Sequence, residues 1–426
     1  MQEKENFSNE FHVPARARSR GIFRFPFSVF RLSFHGMSDS AETPVLAAKA
    51  PRLDSLDALR GFDLFALTML GPVAHVMTHG GLLPEPLANA FSHVAWRGFN
   101  CWDMVMPLFL FMAGVSIPFA MAKFRAGADG VPAQPMRRAH LRIAKRVLVL
   151  WLLGAAAQGN LLAFDAATFK PLSNTLQAIA IGYAGAALLF LHCRMRAQIA
   201  VAGALLFVSW LACALFGDWN PDTNLPERID EFLLGRWTDG ARVAEDGSVV
   251  FAPWYHYAWI FPSLNFVATV ASGVFTGALL KNAALSPARK FFALAGTGAA
   301  LACAGWILDF CGIAPVIKTI WTSSMVLVTS GYGMLLMAAF FGVMDWAGLK
   351  RGSGWLKLVG MNSVLAYMLS PEVGLVSFDG VSRPLLRGLA QFTEPAAFEA
   401  LVACGNALVL FLILWLCARA KVFLKA

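Results

Sequence analysis

Charge is what this sequence has least of. Of its 426 residues only 14% are Asp, Glu, Lys or Arg, against roughly a quarter in ordinary soluble domains. That is too little charge to coat a water-facing surface. Paired cysteines are also missing. Cys101, Cys193, Cys213, Cys303, Cys311, Cys404 and Cys417 show neither regular pairing nor a Cys-x-x-Cys, which argues against a disulfide framework or a cysteine metal site. What the chain has instead is apolar surface: 58% of its residues are hydrophobic and its mean hydropathy is +0.59. A polytopic membrane protein is expected, with the lipid bilayer as its first partner. The net charge of +9 then reads as basic loops held against anionic lipid, and no nucleic-acid partner is expected.

Residues 1–50 differ from the rest. No acidic residue occurs between His12 and Ser38, while Arg16, Arg18, Arg20, Arg24 and Arg31 alternate with Phe23, Phe25, Phe27, Phe30 and Phe34. The stretch fits a basic, disordered tail of transit-like or interfacial character, or a leader ahead of a true start at Met37. The fold is sought in residues 51–426.

Apolar windows of about 20 residues, the length that crosses a hydrocarbon core, recur from Leu59 onward. They predict an all-α bundle of about ten transmembrane helices near 59–79, 102–122, 143–163, 173–192, 197–217, 257–280, 290–310, 319–345, 355–378 and 397–418. Lys and Arg collect in alternate breaks. Lys123, Arg125, Arg137, Arg138, Arg142, Lys145 and Arg146 share one, and Arg194, Arg196, Lys281, Arg289, Lys290, Lys350, Arg351 and Lys357 fall in later breaks of the same parity. The bias of cations toward the cytoplasm places these breaks, and both termini, inside. The turn containing His93 and the long mixed-charge segment 218–256 then face out.

Polar groups at membrane depth are costly, so each asks for a reason. At the head of the first span, Asp54 or Ser55 fits an N-cap, Asp57 and Arg60 stand three apart on one face, and Asp63, a turn deeper, calls for a partner. His93 precedes Asp103 at the head of the next span. A histidine with a carboxylate to fix its tautomer is a general-base pattern, although a solvated outer-turn histidine is the plainer alternative. His75 and His79 have the i, i+4 spacing of metal ligands but no third ligand, so no metal is expected. His256 lies among aromatics that fit an interfacial belt. Asn160, Asn174, Gln177, the run Lys318 to Ser324, and Asn362 fall mostly toward the His93 side, as one shared polar cavity would require.

Five stretches, taken together, resemble the heparan-α-glucosaminide N-acetyltransferases and their bacterial relatives among the transmembrane acyltransferases. They are SLDALRG (55–61), HVAWRGFNCWDMVMPLFLFMAG (93–114), LQAIAIGY (176–183), PVIKTIWTSSMVL (315–327) and GMNSVLAYMLS (360–370), in family order from about residue 52 to the end. The resemblance implies an enzyme that takes acetyl-CoA from the cytosol and delivers the acetyl group to an amino sugar across the membrane. It places the active-site histidine at His93, its aspartate at Asp103, and later motif residues at Lys318, Trp321 and Asn362. It also implies a homodimer. With no large lumenal extension ahead of the first span, a bacterial inner (plasma) membrane is the expected location. Two positions depart from the family: Ala178 stands where Arg is usual, and Pro262-Ser263-Leu264 replaces Pro-Glu-Gly, which leaves the acceptor open.

On this reading Arg60, Arg142, Lys145 and Arg146 hold the CoA phosphates, while Asn362, Gln177 and Ser323, with Thr322 and Ser324, face the substrate or the thioester oxyanion. The rival from another class is a sugar or amino-sugar transporter without CoA chemistry. It accounts for the spans and the cavity, but no internal repeat supports it.

Overall fold

A computed structural model of the chain describes residues 53–125, 132–159, 169–244, 246–371, 373 and 375–424. Helix dominates them because backbone amides in lipid must be satisfied within their own segment. In order come α1 (Asp54–His79), α2 (Cys101–Phe124), α3 (Met136–Ala157), α4 (Thr175–His192) and α5 (Met195–Phe216). A short surface layer follows, made of α6 (Leu225–Leu234) and an antiparallel ribbon of β1 (Ala241–Val243) and β2 (Val249–Phe251). Then come α7 (Ser263–Lys281), α8 (Pro287–Phe310), α9 (Ser323–Trp346), α10 (Gly354–Met361), α11 (Ser363–Met368), α12 (Asp379–Leu386) and α13 (Pro395–Arg419).

Among the described residues eight helices are long and apolar enough to cross a membrane: α1, α2, α4, α5, α7, α8, α9 and α13. Two of the ten expected spans take another form. The third is the 22-residue α3, whose first half carries Arg137, Arg138, Arg142, Lys145 and Arg146; Asn160, at its expected far end, lies outside the described residues. The ninth is divided into α10 and α11 at Asn362, whose backbone leaves the helical region with ψ at 41°. The Asn362 side chain instead bonds the backbone of the C-terminal segment, Nδ2 donating to Val422 O at 3.0 Å and Oδ1 accepting from Leu424 N at 3.1 Å.

Local chemistry explains other details. α1 widens into a π turn over Ala66–Leu70 just ahead of Pro72, whose ring offers no N–H and crowds the carbonyl four residues back, inside that turn. Asp54 is the first residue of α1 rather than its cap, and it pairs with Lys350 and Lys357 at 2.8 Å each. Asp57 and Arg60 do pair, at 3.5 Å.

Helices approach closely where glycine permits it. A Cβ on Gly114 of α2 would lie 2.9 Å from the Val270 carbonyl carbon and 3.0 Å from Gly273 Cα of α7. Small residues at such crossings replace the hydrophobic drive that lipid cannot supply. Three apolar clusters form the interior, the first between α2, α3, α4 and α7, the second between α1, α2 and α9, the third between α1, α11 and α13. Phe109 of α2, half-buried, packs against all three.

Candidate functional site

His93, Asp103 and Lys318 come together at one end of the bundle. Asp103 sits in the first turn of α2, where a reciprocal cap with Asn100 fixes it: its Oδ2 accepts from Asn100 N at 2.9 Å and Val94 N at 3.4 Å. Its Oδ1 lies 2.7 Å from His93 Nδ1 and 3.3 Å from Lys318 Nζ. Lys318 Nζ is also 3.0 Å from His93 Nδ1. The shortest of these contacts assigns the Nδ1 proton to the carboxylate, so the ammonium has Asp103 as its ionic partner. Nε2 of His93 then carries the ring's lone pair, with Lys318 Nζ 3.4 Å away. The His93 side chain is 45% exposed while Asp103 is 1% and Lys318 9% exposed, so a reagent can reach the imidazole but not the groups behind it. Burial pushes the Lys318 ammonium below the ordinary lysine range, and Asp103 pushes it back up.

The loop that delivers Lys318 is tightly held. Gly98 N donates to Val316 O at 2.8 Å beside a backbone bridge between Arg97 and Ile317. Asp309 clamps both strands of this contact, accepting from Arg97 Nε at 2.9 Å and Val316 N at 2.7 Å. Trp321 occupies left-handed backbone space at φ 50°, a conformation costing a non-glycine residue about 1–3 kcal/mol unless its surroundings impose it. They do: Asn265 Nδ2 donates to Trp321 O at 2.6 Å, and the indole Nε1 donates to Thr269 Oγ1 at 3.1 Å. Thr322 then caps α9.

A second feature lies toward the opposite end. A cavity of about 990 Å³ is bounded by α1, α2, α3, α4, the end of α7, α10, α11 and the C-terminal segment. Arg60, Lys123, Arg142, Arg146 and Lys281 line it, with Asp57 the one carboxylate among its lining residues. The remainder of its wall is largely apolar and reaches Phe109, Leu150, Thr175 and Leu176. From Lys123 back to Phe109 along α2 is about 20 Å at the helical rise. Arg146 stacks over the Tyr183 ring at 4.3 Å, and its buried Nε has no hydrogen-bond partner. An orphaned guanidinium N–H inside a basic pocket fits an anionic ligand.

The residues expected from sequence divide between these two places. Arg60, Arg142 and Arg146 line the cavity; Lys145 is exposed and does not. Gln177 is fully buried in the first turn of α4, where its Oε1 accepts from Ser173 N at 2.8 Å and its Nε2 is unpaired. Ser323 Oγ donates to Leu206 O of α5 at 2.7 Å, and the Thr322 and Ser324 hydroxyls donate to Pro315 O. These hydroxyls tie the head of α9 to α5 and to the loop at Pro315. Asn362 borders the cavity through its neighbours Met361 and Ser363 and makes no bond to the His93 group.

One expectation needs correcting. Asp63 is buried at 2% exposure, yet its Oδ2 has no partner, and no ion pair among the described residues includes it. His256 does lie among aromatics, its ring meeting Trp96 edge-on at 5.8 Å, and its Nδ1 faces Glu227 at 3.3 Å. The His75 and His79 rings lie 4.1 Å apart, tilted by 45°. Lys123, Lys281 and Phe109 were not singled out as binding residues. The two lysines could have been found by asking which basic-break cations sit at the ends of adjoining helices; Phe109 left no such signal.

The class this fold and site define is a polytopic helical membrane protein with a histidine–aspartate–lysine group at one end of the bundle and a cation-lined cavity toward the other. No protein-family model matches the chain, and no curated protein matches its sequence.

Proposed function

We propose that the protein is a membrane-embedded acyltransferase that moves an acetyl group from acetyl-CoA, bound from the cytosol, to an amino sugar on the far side of a bacterial inner membrane. The observation that carries the reading is the His93 Nδ1 to Asp103 contact of 2.7 Å, which leaves Nε2 as the ring's unprotonated nitrogen, across the bundle from a cavity lined by five cations. The cations suit the phosphates of a nucleotide, and the apolar inner wall suits a slender, uncharged arm.

In the reaction the acceptor amine attacks the thioester carbonyl while His93 Nε2 removes its proton. The C–S bond then breaks, and the departing thiolate takes a proton back from the imidazolium. Asp103 holds the ring in the productive tautomer throughout. Assembly as a homodimer, and an orientation with both termini inside, belong to the same proposal.

The test is transfer of label from radiolabelled acetyl-CoA to glucosamine in proteoliposomes. His93→Ala should lower turnover by about 10²-fold or more; near-normal turnover rejects the assignment. The break at Asn362 favours a second reading, sugar transport, since interrupted helices line the sites of many transporters. Uptake of labelled sugar without CoA, together with no thermal stabilisation of the protein by CoA, would establish that alternative.

A further inference from the structure

Three chain segments run side by side around the reactive histidine, and only two have been assigned a role. The first, 93–98, supplies His93; the second, 316–321, supplies Lys318. The third is 254–261. Ala258 N donates to Thr319 O at 3.3 Å, and Ala258 packs with Ile317, Ile320, Trp96 and Trp219. The residue next to Ala258 is Tyr257.

This third segment is held in place by buried acids. Asp230 of α6 accepts from three successive amides, Trp259 N at 2.5 Å, Ile260 N at 3.1 Å and Phe261 N at 3.4 Å. Asp239 accepts from the Tyr255 hydroxyl and from Trp259 Nε1, the latter at 3.0 Å. The Tyr257 ring lies between the two side chains so fixed, 5.1 Å from Tyr255 and 6.4 Å from Trp259, stacked at 20° on the latter. Its neighbours thus have their polar tips tied down. The Tyr257 hydroxyl alone makes no hydrogen bond among the described residues, and the side chain is only half-buried.

We infer that the Tyr257 hydroxyl, carried by the segment that runs alongside the Lys318 loop, is a hydrogen-bond donor to the acceptor substrate and positions an amino sugar through one of its ring hydroxyls. The inference rests on the acyl-transfer reading. A rigid ring with an unspent donor at its tip is suited to this role, because little side-chain freedom remains to be lost on binding. The phenol also keeps its proton: burial raises its pKa, and the negative charges of Asp103 and Asp239 raise it further.

Tyr257→Phe removes the donor and keeps the ring in its stack. In proteoliposomes it should lower kcat/KM for glucosamine about three- to tenfold, the loss of one neutral hydrogen bond. The KM for acetyl-CoA and the thermal stability in detergent should be unchanged. If kcat/KM for glucosamine stays within twofold of the wild type while His93→Ala abolishes transfer, the inference fails and the acyltransferase reading stands. If Tyr257→Phe also lowers thermal stability and weakens CoA binding, the hydroxyl is structural and the inference is again overturned. Full activity of His93→Ala removes the reading on which it depends.

Discussion

A carboxylate beside a histidine serves two ends that pull apart. It fixes the tautomer, yet an uncompensated negative charge also favours protonation of the ring, which would remove the lone pair a base needs. Lys318, 3.3 Å from Asp103, balances that charge from behind while leaving the hydrogen bond to His93 in place. The balance lasts only while the amine is protonated. Burial holds the Lys318 pKa below the ordinary lysine value, so the ammonium is present at low pH and is lost as pH rises through that lowered value. Activity should therefore fall on the alkaline side earlier than a free lysine would allow. Lys318→Arg, which stays charged, should move this alkaline limb to higher pH even if its rate is reduced. Measuring kcat/KM against pH for both proteins checks this, and superimposable alkaline limbs would exclude Lys318 as the group responsible. Of this trio, His93 and Asp103 were legible in ten residues of sequence. Lys318 was legible only as a polar mark on the His93 side and, through the family resemblance, as a motif residue; its contact with His93 was not, because 225 residues separate the two and no local pattern reports such a contact. Tyr257 was hidden in the run Trp254-Tyr255-His256-Tyr257, where an interfacial belt and an acceptor site look alike.

At the level of helices, what decides the packing is where backbone meets backbone. Gly114 and Gly273 let α2 and α7 touch, and α2 carries both Asp103 and the wall of the cavity. Gly114→Ala puts a methyl group against the α7 backbone, an overpacking cost of about 1–3 kcal/mol. Gly296 on α8 is exposed with open space at its Cβ position, so Gly296→Ala should be neutral or gain up to about 1 kcal/mol of helix propensity. Thermal unfolding in detergent should separate the two; equal shifts would mean the α2–α7 crossing is looser than described. Hydropathy located the eight long helices to within a few residues, since twenty apolar residues leave little choice. It misplaced α3 because the helix begins seven residues before the apolar window, in a cationic stretch that hydropathy discards. It missed the division of the ninth segment because the cause is a tertiary bond between Asn362 and the backbone at 422 and 424, a link that no window can register.

For the molecule as a whole, the difficulty is distance. The His93 imidazole and the cation cluster occupy opposite ends, and the cavity runs about 20 Å along α2 from Lys123 as far as Phe109. Another six residues, about 9 Å of helix, separate Phe109 from Asp103. On the acyltransferase proposal, a thioester held by its phosphates at the basic end would have to pass Phe109 to meet His93. That ring packs against three apolar clusters yet is only half-buried, so it stands between the cavity and the first turn of α2. Enlarging or removing it should affect transfer and binding differently. Phe109→Trp should leave CoA-dependent thermal stabilisation intact, since the five cations are untouched, while reducing acetyl transfer at least tenfold. Phe109→Ala should keep that stabilisation and raise the rate at which acetyl-CoA is hydrolysed without an acceptor, because water can follow the arm through the gap. Transfer unaffected by tryptophan at this position would show that the acyl group takes another path, and the link between the two ends of the bundle would have to be sought along α4, where Thr175 and Leu176 line the cavity next to buried Gln177.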